Sequence, residues 1–188
     1  MTTRNLESEL KIPVADLERV RVDLQRARAI VVQTMAREVN LLLDTDDSRL
    51  RRAGCVLRLR RHGERKVLTF KGPPDFKGAI KERPEHETEI SDLESTAEIL
   101  GQLGFKVIMK YEKDREEWLL DDVTVALDRT PIGSFVEVEG PPEKLNRTAE
   151  LLGLKISSAV RDSYAGLWLA YRKRHPELDL PLDMVFSK

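Results

Sequence analysis

Charged residues recur at every second position in segment after segment of this chain, and that spacing constrains the fold more than any other feature. Glu7-Ser8-Glu9-Leu10-Lys11 opens the series, and Glu85-His86-Glu87 and Glu137-Val138-Glu139 repeat its carboxylate rhythm. Arg58-Leu59-Arg60, Lys81-Glu82-Arg83 and Lys113-Asp114-Arg115 supply cations at the same interval. Successive side chains of an extended chain point to opposite faces. Glu7, Glu9 and Lys11 therefore share one face, with Leu6, Leu10 and Ile12 on the other. Leu57 and Leu59 oppose Arg58 and Arg60 in the same way, and Val136 and Val138 oppose Glu137 and Glu139.

A half-exposed antiparallel sheet with its polar face in water explains any one such strand. The set as a whole argues otherwise, because wet faces are rich in Thr, Ser, Gln and Lys, whereas these repeat Arg and Glu. Helices need the apolar sheet surface, which leaves the charged faces together on the opposite side. About eight antiparallel strands can close with that side inward. The expected fold is α+β: an eight-stranded antiparallel β-barrel, a tunnel with a charged interior and helices packed outside.

The elements follow from period and punctuation. Strands are expected over 5–12, 28–44 (one long or two short), 55–62, 66–71, 79–90, 106–120, 123–128 and 134–139. Helices are expected from Pro13 to Arg26, from a capping box at Ser91-Asp92-Leu93-Glu94 to Leu103, from Pro141-Pro142 to Leu152, and over 158–173. Pro84, inside a strand, implies an edge, bulge or local break. Residues 1–174 form one domain in this reading, and 175–188 a tail.

With 32 basic and 33 acidic residues, net charge selects no partner. Nine Lys or Arg and one acid, Glu64, fall between Arg49 and Lys71, a block that suits a solvated face or a nucleic-acid patch. The alternation splits it, however, and few aromatics are present for base stacking, so no nucleic-acid partner is expected. Cys55 is alone, which excludes a disulfide framework and a Cys-rich zinc site; it reads as a buried small residue. No apolar run approaches the ~20 residues needed to span a bilayer, so no membrane partner and a cytoplasmic setting are expected.

Enclosing so many charges is ruinous unless they are paired or bound to a ligand. Carboxylates two residues apart on a strand lie about 6.6 Å apart at the backbone, close enough for their side chains to converge on a hard cation. Magnesium prefers oxygen ligands and is commonly held by a few carboxylates together with substrate phosphates. Arg and Lys opposite would grip phosphate oxygens. An elongated polyanion lying between metal and cations is the natural ligand.

These residues resemble the CYTH domains, also called triphosphate tunnel metalloenzymes. The resemblance rests on Glu-x-Glu-x-Lys (Glu7, Glu9, Lys11), Arg-x-Arg (Arg58, Arg60) and Thr-x-Lys-Gly (Thr69, Lys71, Gly72). It continues in Lys81, Arg83, Glu85 and Glu87, in Lys113 and Arg115, in Asp128 followed by Gly133, Phe135, Glu137 and Glu139, and in Ser163-Tyr164. It implies a tunnel that binds a triphosphate-containing small molecule with Mg2+ or Mn2+. Glu7, Glu9, Glu137 and Glu139 would be the main metal ligands, with Glu85 and Glu87 as contributors and Asp128 ordering a neighbouring cation or water. Lys11, Arg58, Arg60, Lys71, Lys81, Arg83, Lys113 and Arg115 would hold phosphates, and Lys11, Lys71 and Glu85 would act at the reacting phosphate. A homodimer is an open expectation.

Two departures bear on the chemistry. Where the family often has Tyr-Phe-Asp after the second strand, this chain has Leu42-Leu43-Asp44. The His-Phe pair associated with the cyclase branch is missing from the six residues before Glu7. Both favour metal-dependent hydrolysis of inorganic triphosphate or a small organic triphosphate. The alternatives are a class IV adenylate cyclase, which makes cyclic AMP and pyrophosphate from ATP, and a polyphosphate- or nucleotide-binding module without turnover.

Overall fold

The alternating segments do form strands, and the computed structural model describes them within residues 6–187. They are β1 (Leu6–Val14), β2 (Ile30–Asp44), β3 (Val56–His62), β4 (Arg65–Lys71), β5 (Asp75–Lys77), β6 (Ile80–Glu89), β7 (Lys106–Leu120), β8 (Val123–Thr130) and β9 (Gly133–Glu139). Helices are α1 (Leu17–Arg26), α2 (Arg49–Arg52), α3 (Leu93–Gln102), α4 (Pro142–Leu151) and α5 (Tyr164–Arg174). Asn5, expected to begin the first strand, lies outside the described residues.

Eight strands close into an antiparallel barrel in the order β1-β9-β8-β7-β2-β3-β4-β6, and β6 returns to β1. The closing register sets Glu7 opposite Arg83 and Glu9 opposite Lys81. Farther along, β6 pairs with β4, with Lys71 opposite Glu85. Pro84 sits at this changeover: its carbonyl accepts from Gly72 N–H at 2.8 Å. Gly72 lies so close to the proline ring that an added Cβ would meet it at 3.2 Å. A strand position that changes partners tolerates the missing proline donor.

The apolar core lies outside the barrel wall. Leu10, Ile12, Val123, Val125, Leu127, Val136 and Val138 point outward and pack with Val20 and Leu24 of α1 and Leu145, Ala149 and Leu152 around α4. Each such fully buried side chain contributes about 1.5–3 kcal/mol, so the wall is held by its helices and not by its bore. A second cluster joins Leu57 and Leu59 of β3 to Leu93, Ala97 and Leu100 of α3. A third, with Met109, Tyr111, Phe135, Tyr164, Trp168 and Met184, packs where α5 meets the barrel.

Several expected details are corrected. Pro13 does not open a helix; it continues β1 opposite Phe135, and α1 begins after Asp16, whose carboxylate accepts from the Glu18 and Arg19 N–H groups. Leu17, Val20 and Leu24 keep a helical spacing with Val20 and Leu24 buried, but the local N-cap sets the start. At α3 the cap is Asp92 alone, accepting from Ser95 N–H, and the expected box starting at Ser91 is absent. The last helix begins at Tyr164 with Ser163 as its cap, not at residue 158; Ile156–Ser158 form a separate 3₁₀ turn. Strand β5, which falls between two expected strands where none is expected, adds to β6 outside the barrel. Residues 28–44 give one long strand starting at Ile30.

The tail docks on the barrel. Strand β8 pairs with β7 only from Asp114 onward, and Met184 occupies part of the edge left open: its N–H donates to the Lys110 carbonyl and its carbonyl accepts from Glu112 N–H. Its side chain is fully buried. Met184→Ala is expected to destabilise the fold by about 2–5 kcal/mol, the usual range for emptying a buried methionine site. A urea-unfolding midpoint unchanged from wild type would show that the tail is not part of the folded unit.

Candidate active site

Inward-facing positions of all eight barrel strands converge on one cavity of about 230 Å³. Glu7, Glu9, Lys11, Arg58, Arg60, Lys71, Lys81, Arg83, Glu85, Glu87, Lys113, Arg115, Glu137 and Glu139 all line it. The parity argument therefore places these residues together, and Asp128 alone of the expected set does not line the cavity, lying buried on the same inward face beneath Arg115.

The carboxylates divide into two kinds. Glu7, Glu85 and Glu139 each bring an oxygen to within 4.8 Å of the others. Glu9 and Glu137 are engaged by cations instead: Lys81 Nζ is 2.6 Å from Glu9, and Lys11 Nζ lies 3.2 Å from Glu137, which Arg115 also grips. Glu87 accepts from Thr69 Oγ1 at 2.7 Å and from Arg60 at 3.0 Å. Asp128, fully buried, takes Arg115 bidentately at 2.7 and 2.6 Å, Lys113 at 3.1 Å and the Tyr164 hydroxyl at 2.6 Å. With its oxygens occupied, Asp128 fixes the directions of Arg115 and Lys113 into the cavity. Arg83 is turned aside, donating to the carbonyls of Gly72 and Gly54; Lys71 bridges Glu7 at 2.6 Å and Glu85 at 3.1 Å.

Titration separates Glu9 and Glu137 from Glu85 and Glu139. Burial raises the Glu9 carboxyl, but Lys11, Lys81 and Lys71 outweigh both burial and Glu137 and hold it at about 2. Burial also opposes ionisation of Glu137, and Lys113, Arg115 and Lys11 drive its carboxyl well below the usual range. Glu85 goes the other way: burial, helped by Glu7 and opposed by Lys71, pushes it up to about 7. Desolvation in the cavity, then Glu7, pushes Glu139 up to about 7 as well, although that residue as a whole stands exposed at the rim. Three carboxylates that crowd without a full set of cations are short of positive charge.

This trio fits a divalent cation. Its donors are hard oxygens suited to Mg2+ or Mn2+, and Glu7 Oε2 is buried with no hydrogen-bond partner. On the cation side Arg58 Nε is likewise buried without a partner. An orphaned acceptor and an orphaned donor in one cavity suit a metal and an anion.

Two residues of the site escaped the sequence reading. Glu38 of β2, fully buried, lies 3.4 Å from Lys113 and accepts from Asn40 Nδ2 at 2.9 Å. Its one-sided spacing with Asn40 was the available signal, but it belongs to no Glu-x-Glu pair. Tyr111, also inward, restores an aromatic wall where Leu42 offers none. The basic block is divided as its parity demands: Arg58 and Arg60 line the cavity, while Arg49, Arg51, Arg52 and Arg61 are exposed. Cys55 is half-buried rather than buried, with Sγ near the Ala53 carbonyl, and His86 points away from the carboxylate face. Among the described residues no helix is long and apolar enough to cross a membrane.

The model of the CYTH domain family matches residues 5–161. The chain belongs to the CYTH domain family. A relative from Methanocaldococcus jannaschii named "Putative adenylate cyclase" is 27% identical over 148 residues, covering 78% of this CYTH domain protein and 83% of the relative. A Vibrio parahaemolyticus structure titled as a putative adenylate cyclase superposes with a TM-score of 0.80 at 22% identity, over 89% of this chain and 99% of the other. The Hippeastrum protein HpAC1, titled as a putative adenylyl cyclase with a dominant triphosphatase activity, gives a TM-score of 0.65 at 18% identity, covering 95% and 99% of the two chains. At those identities the two structures establish the shared barrel.

The raised carboxyls give this CYTH domain a signed pH response. Groups raised to about 7 in the folded state favour the metal-free fold below the ordinary carboxylate range, and that contribution is lost as pH rises through 7. A cation must displace those protons to bind. Mg2+ is therefore expected to raise the melting temperature more at pH 8 than at pH 6, and to release protons on binding at pH 6. Equal stabilisation at both pH values, with no proton release, would contradict the assignment of the trio.

Proposed function

We propose that the protein is a divalent-metal-dependent enzyme that hydrolyses a triphosphate substrate held in the tunnel. The observation that carries this reading is the partition of one cavity into an under-neutralised carboxylate trio, Glu7, Glu85 and Glu139, and a facing set of cations whose directions are fixed from behind. When bound, Mg2+ or Mn2+ supplies charge neutralisation at the phosphoryl oxygens and an activated water.

The chain's own residues do the rest by positioning and electrostatics, which is most of what phosphoryl transfer asks of a protein. Arg115 and Lys113 are preorganised by Asp128, and Lys11 is steadied by the Asp162 carbonyl at 3.1 Å and by Glu137. A phosphate chain entering this set would take over hydrogen bonds now made to Glu9, Glu87 and Glu137. Arg58, Arg60, Lys71 and Lys81 would complete the grip, with Arg83 secondary because its donors are engaged by backbone carbonyls. Lys71, in contact with both Glu7 and Glu85, would couple the metal side to the phosphate side. Glu85 would hold the reacting water in line as well as contribute to the metal site.

A second reading, cyclisation of ATP, is favoured by the name of the M. jannaschii relative. HpAC1, which joins a cyclase name to a dominant triphosphatase activity, supports the reading that such a name leaves hydrolysis open. The test is turnover of tripolyphosphate and ATP with Mg2+ or Mn2+, reading phosphate, pyrophosphate and cyclic AMP separately. Phosphate is expected from both, with pyrophosphate as the other product of tripolyphosphate and ADP that of ATP, metal-dependent and reduced on the order of 10²-fold or more in Glu85→Gln. Stoichiometric cyclic AMP and pyrophosphate from ATP would replace hydrolysis with cyclisation.

A further inference from the structure

Helix α5 and the tail behind it lie beyond the family match, which ends at residue 161, yet they reach the cation side of the cavity. The tail is fastened from two directions. From α5, Trp168 Nε1 donates to the Leu182 carbonyl at 2.9 Å and Arg172 Nε to the Leu180 carbonyl at 2.9 Å. From β7, the Lys110 N–H donates to the Asp183 carboxylate at 2.8 Å, and the main chain of Met184 pairs on either side of Tyr111. Beyond it the Phe186 ring faces the guanidinium groups of Arg37 and Arg129, 4.1 and 6.0 Å from its centre. This docking delivers one side chain, Met184, to a fully buried position.

That position adjoins two tyrosines of the tunnel. Met184 packs in one cluster with Tyr111 and Tyr164, and both tyrosines line the cavity. Tyr164 touches much of the cation set. Its hydroxyl donates at 2.6 Å to Asp128, the carboxylate that also holds Arg115 and Lys113. The ammonium groups of Lys11 and Lys113 lie 4.4 and 4.8 Å from its ring centre. Neighbouring rings bound it as well, Phe135 at 5.3 Å and Tyr111 at 6.5 Å between centres. A cation held over a ring face depends on where that face points, so whatever fixes the tilt of Tyr164 also fixes Lys11, Lys113 and, through Asp128, Arg115. Covering the β7 edge does not account for the methionine, because the bonds to Lys110 and Glu112 come from the main chain and any side chain permits them. What the thioether adds is volume that fills an irregular gap beside aromatic rings.

We infer that the C-terminal tail is a positioning element of the tunnel: Met184 sets the Tyr164 ring, and the ring sets the cations that grip phosphate. Emptying the Met184 site leaves atoms of the cluster without partners on one side, and the tyrosine ring gains room to tilt. Tilting would lengthen the bond to Asp128 and turn the ring face away from the two ammonium groups. The inference rests on the tunnel as the triphosphate site and adds a residue, far from that site in sequence, on which its geometry depends.

Calorimetric binding of tripolyphosphate to the full chain in EDTA, where the metal-dependent step is off, tests it on variants shown to be folded by far-UV circular dichroism. Met184→Ala keeps both main-chain hydrogen bonds and is expected to weaken binding about tenfold, the loss of one desolvated cation–ring contact. Met184→Leu refills the site with a side chain of similar volume and should restore affinity to within about twofold of wild type. Leu145→Ala empties an equally buried site in the separate cluster under α4, so it should lower the melting temperature yet leave affinity within about twofold. Wild-type affinity in Met184→Ala, or equal weakening in Leu145→Ala, would overturn the inference. If Met184→Ala does not fold, Phe186→Ala decides: loosening the half-buried end of the tail from Arg37 and Arg129 should weaken binding at least about threefold, and unchanged affinity there would overturn it equally. Failure of the wild-type chain to bind tripolyphosphate would instead show that these cations are not the phosphate grip, and would remove the inference with that reading.

Discussion

The structure depends on the cost of enclosing charge. A barrel bore lined by carboxylates, guanidinium groups and ammonium groups has lost much of its water, and the loss is tolerable only where each ion meets an opposite one. Around Asp128 the exchange is complete: one carboxylate receives Arg115, Lys113 and Tyr164. Around Glu7, Glu85 and Glu139 it is incomplete, and Lys71 is the cation that bridges two of them. The proposed chemistry rests on the difference between these two regions: a cation would belong in the unbalanced one, and the balanced one would hold its cations ready for phosphate.

Stability and function are separated radially. Apolar faces of the strands look outward and are covered by α1, α3 and α4, so folding energy comes from the outside of the wall. The bore is then free to carry residues that contribute little to stability, or oppose it, as Glu85 and Glu139 do when ionised. The aromatic cluster under α5 and the docked Met184 pack at one end without disturbing the charged ring.

The barrel and most of its lining were legible because strand parity is strict: once Glu7, Arg58 and Glu137 face one way, their neighbours at every second position follow. What parity could not reveal was depth. Glu9, Glu137 and Asp128 share the inward face with Glu7 and Glu139, yet the first three meet Lys81, Lys11, Lys113 and Arg115, whereas Glu7 shares its one cation, Lys71, with Glu85 and Glu139 has no ion pair among the described residues. That distinction arises from which side chains meet across the bore, between strands far apart in sequence. Glu38 was missed for a related reason, since a lone carboxylate in an apolar strand has no repeat to mark it. Helix starts failed where a local cap decided them, at Asp16 and Ser163, and the tail's role depended on β8 being too short to cover β7. The family resemblance supplied the order of the motifs, and the family assignment agrees with it.

The central claim is that the under-neutralised trio is the metal site. Anomalous diffraction from crystals soaked in Mn2+ tests it most directly. The account predicts a peak bounded by carboxylate oxygens of Glu7, Glu85 and Glu139, with Asp128 still bound to Arg115 and Tyr164. A peak coordinated by Asp128, or no ordered manganese in the tunnel at all, would contradict it.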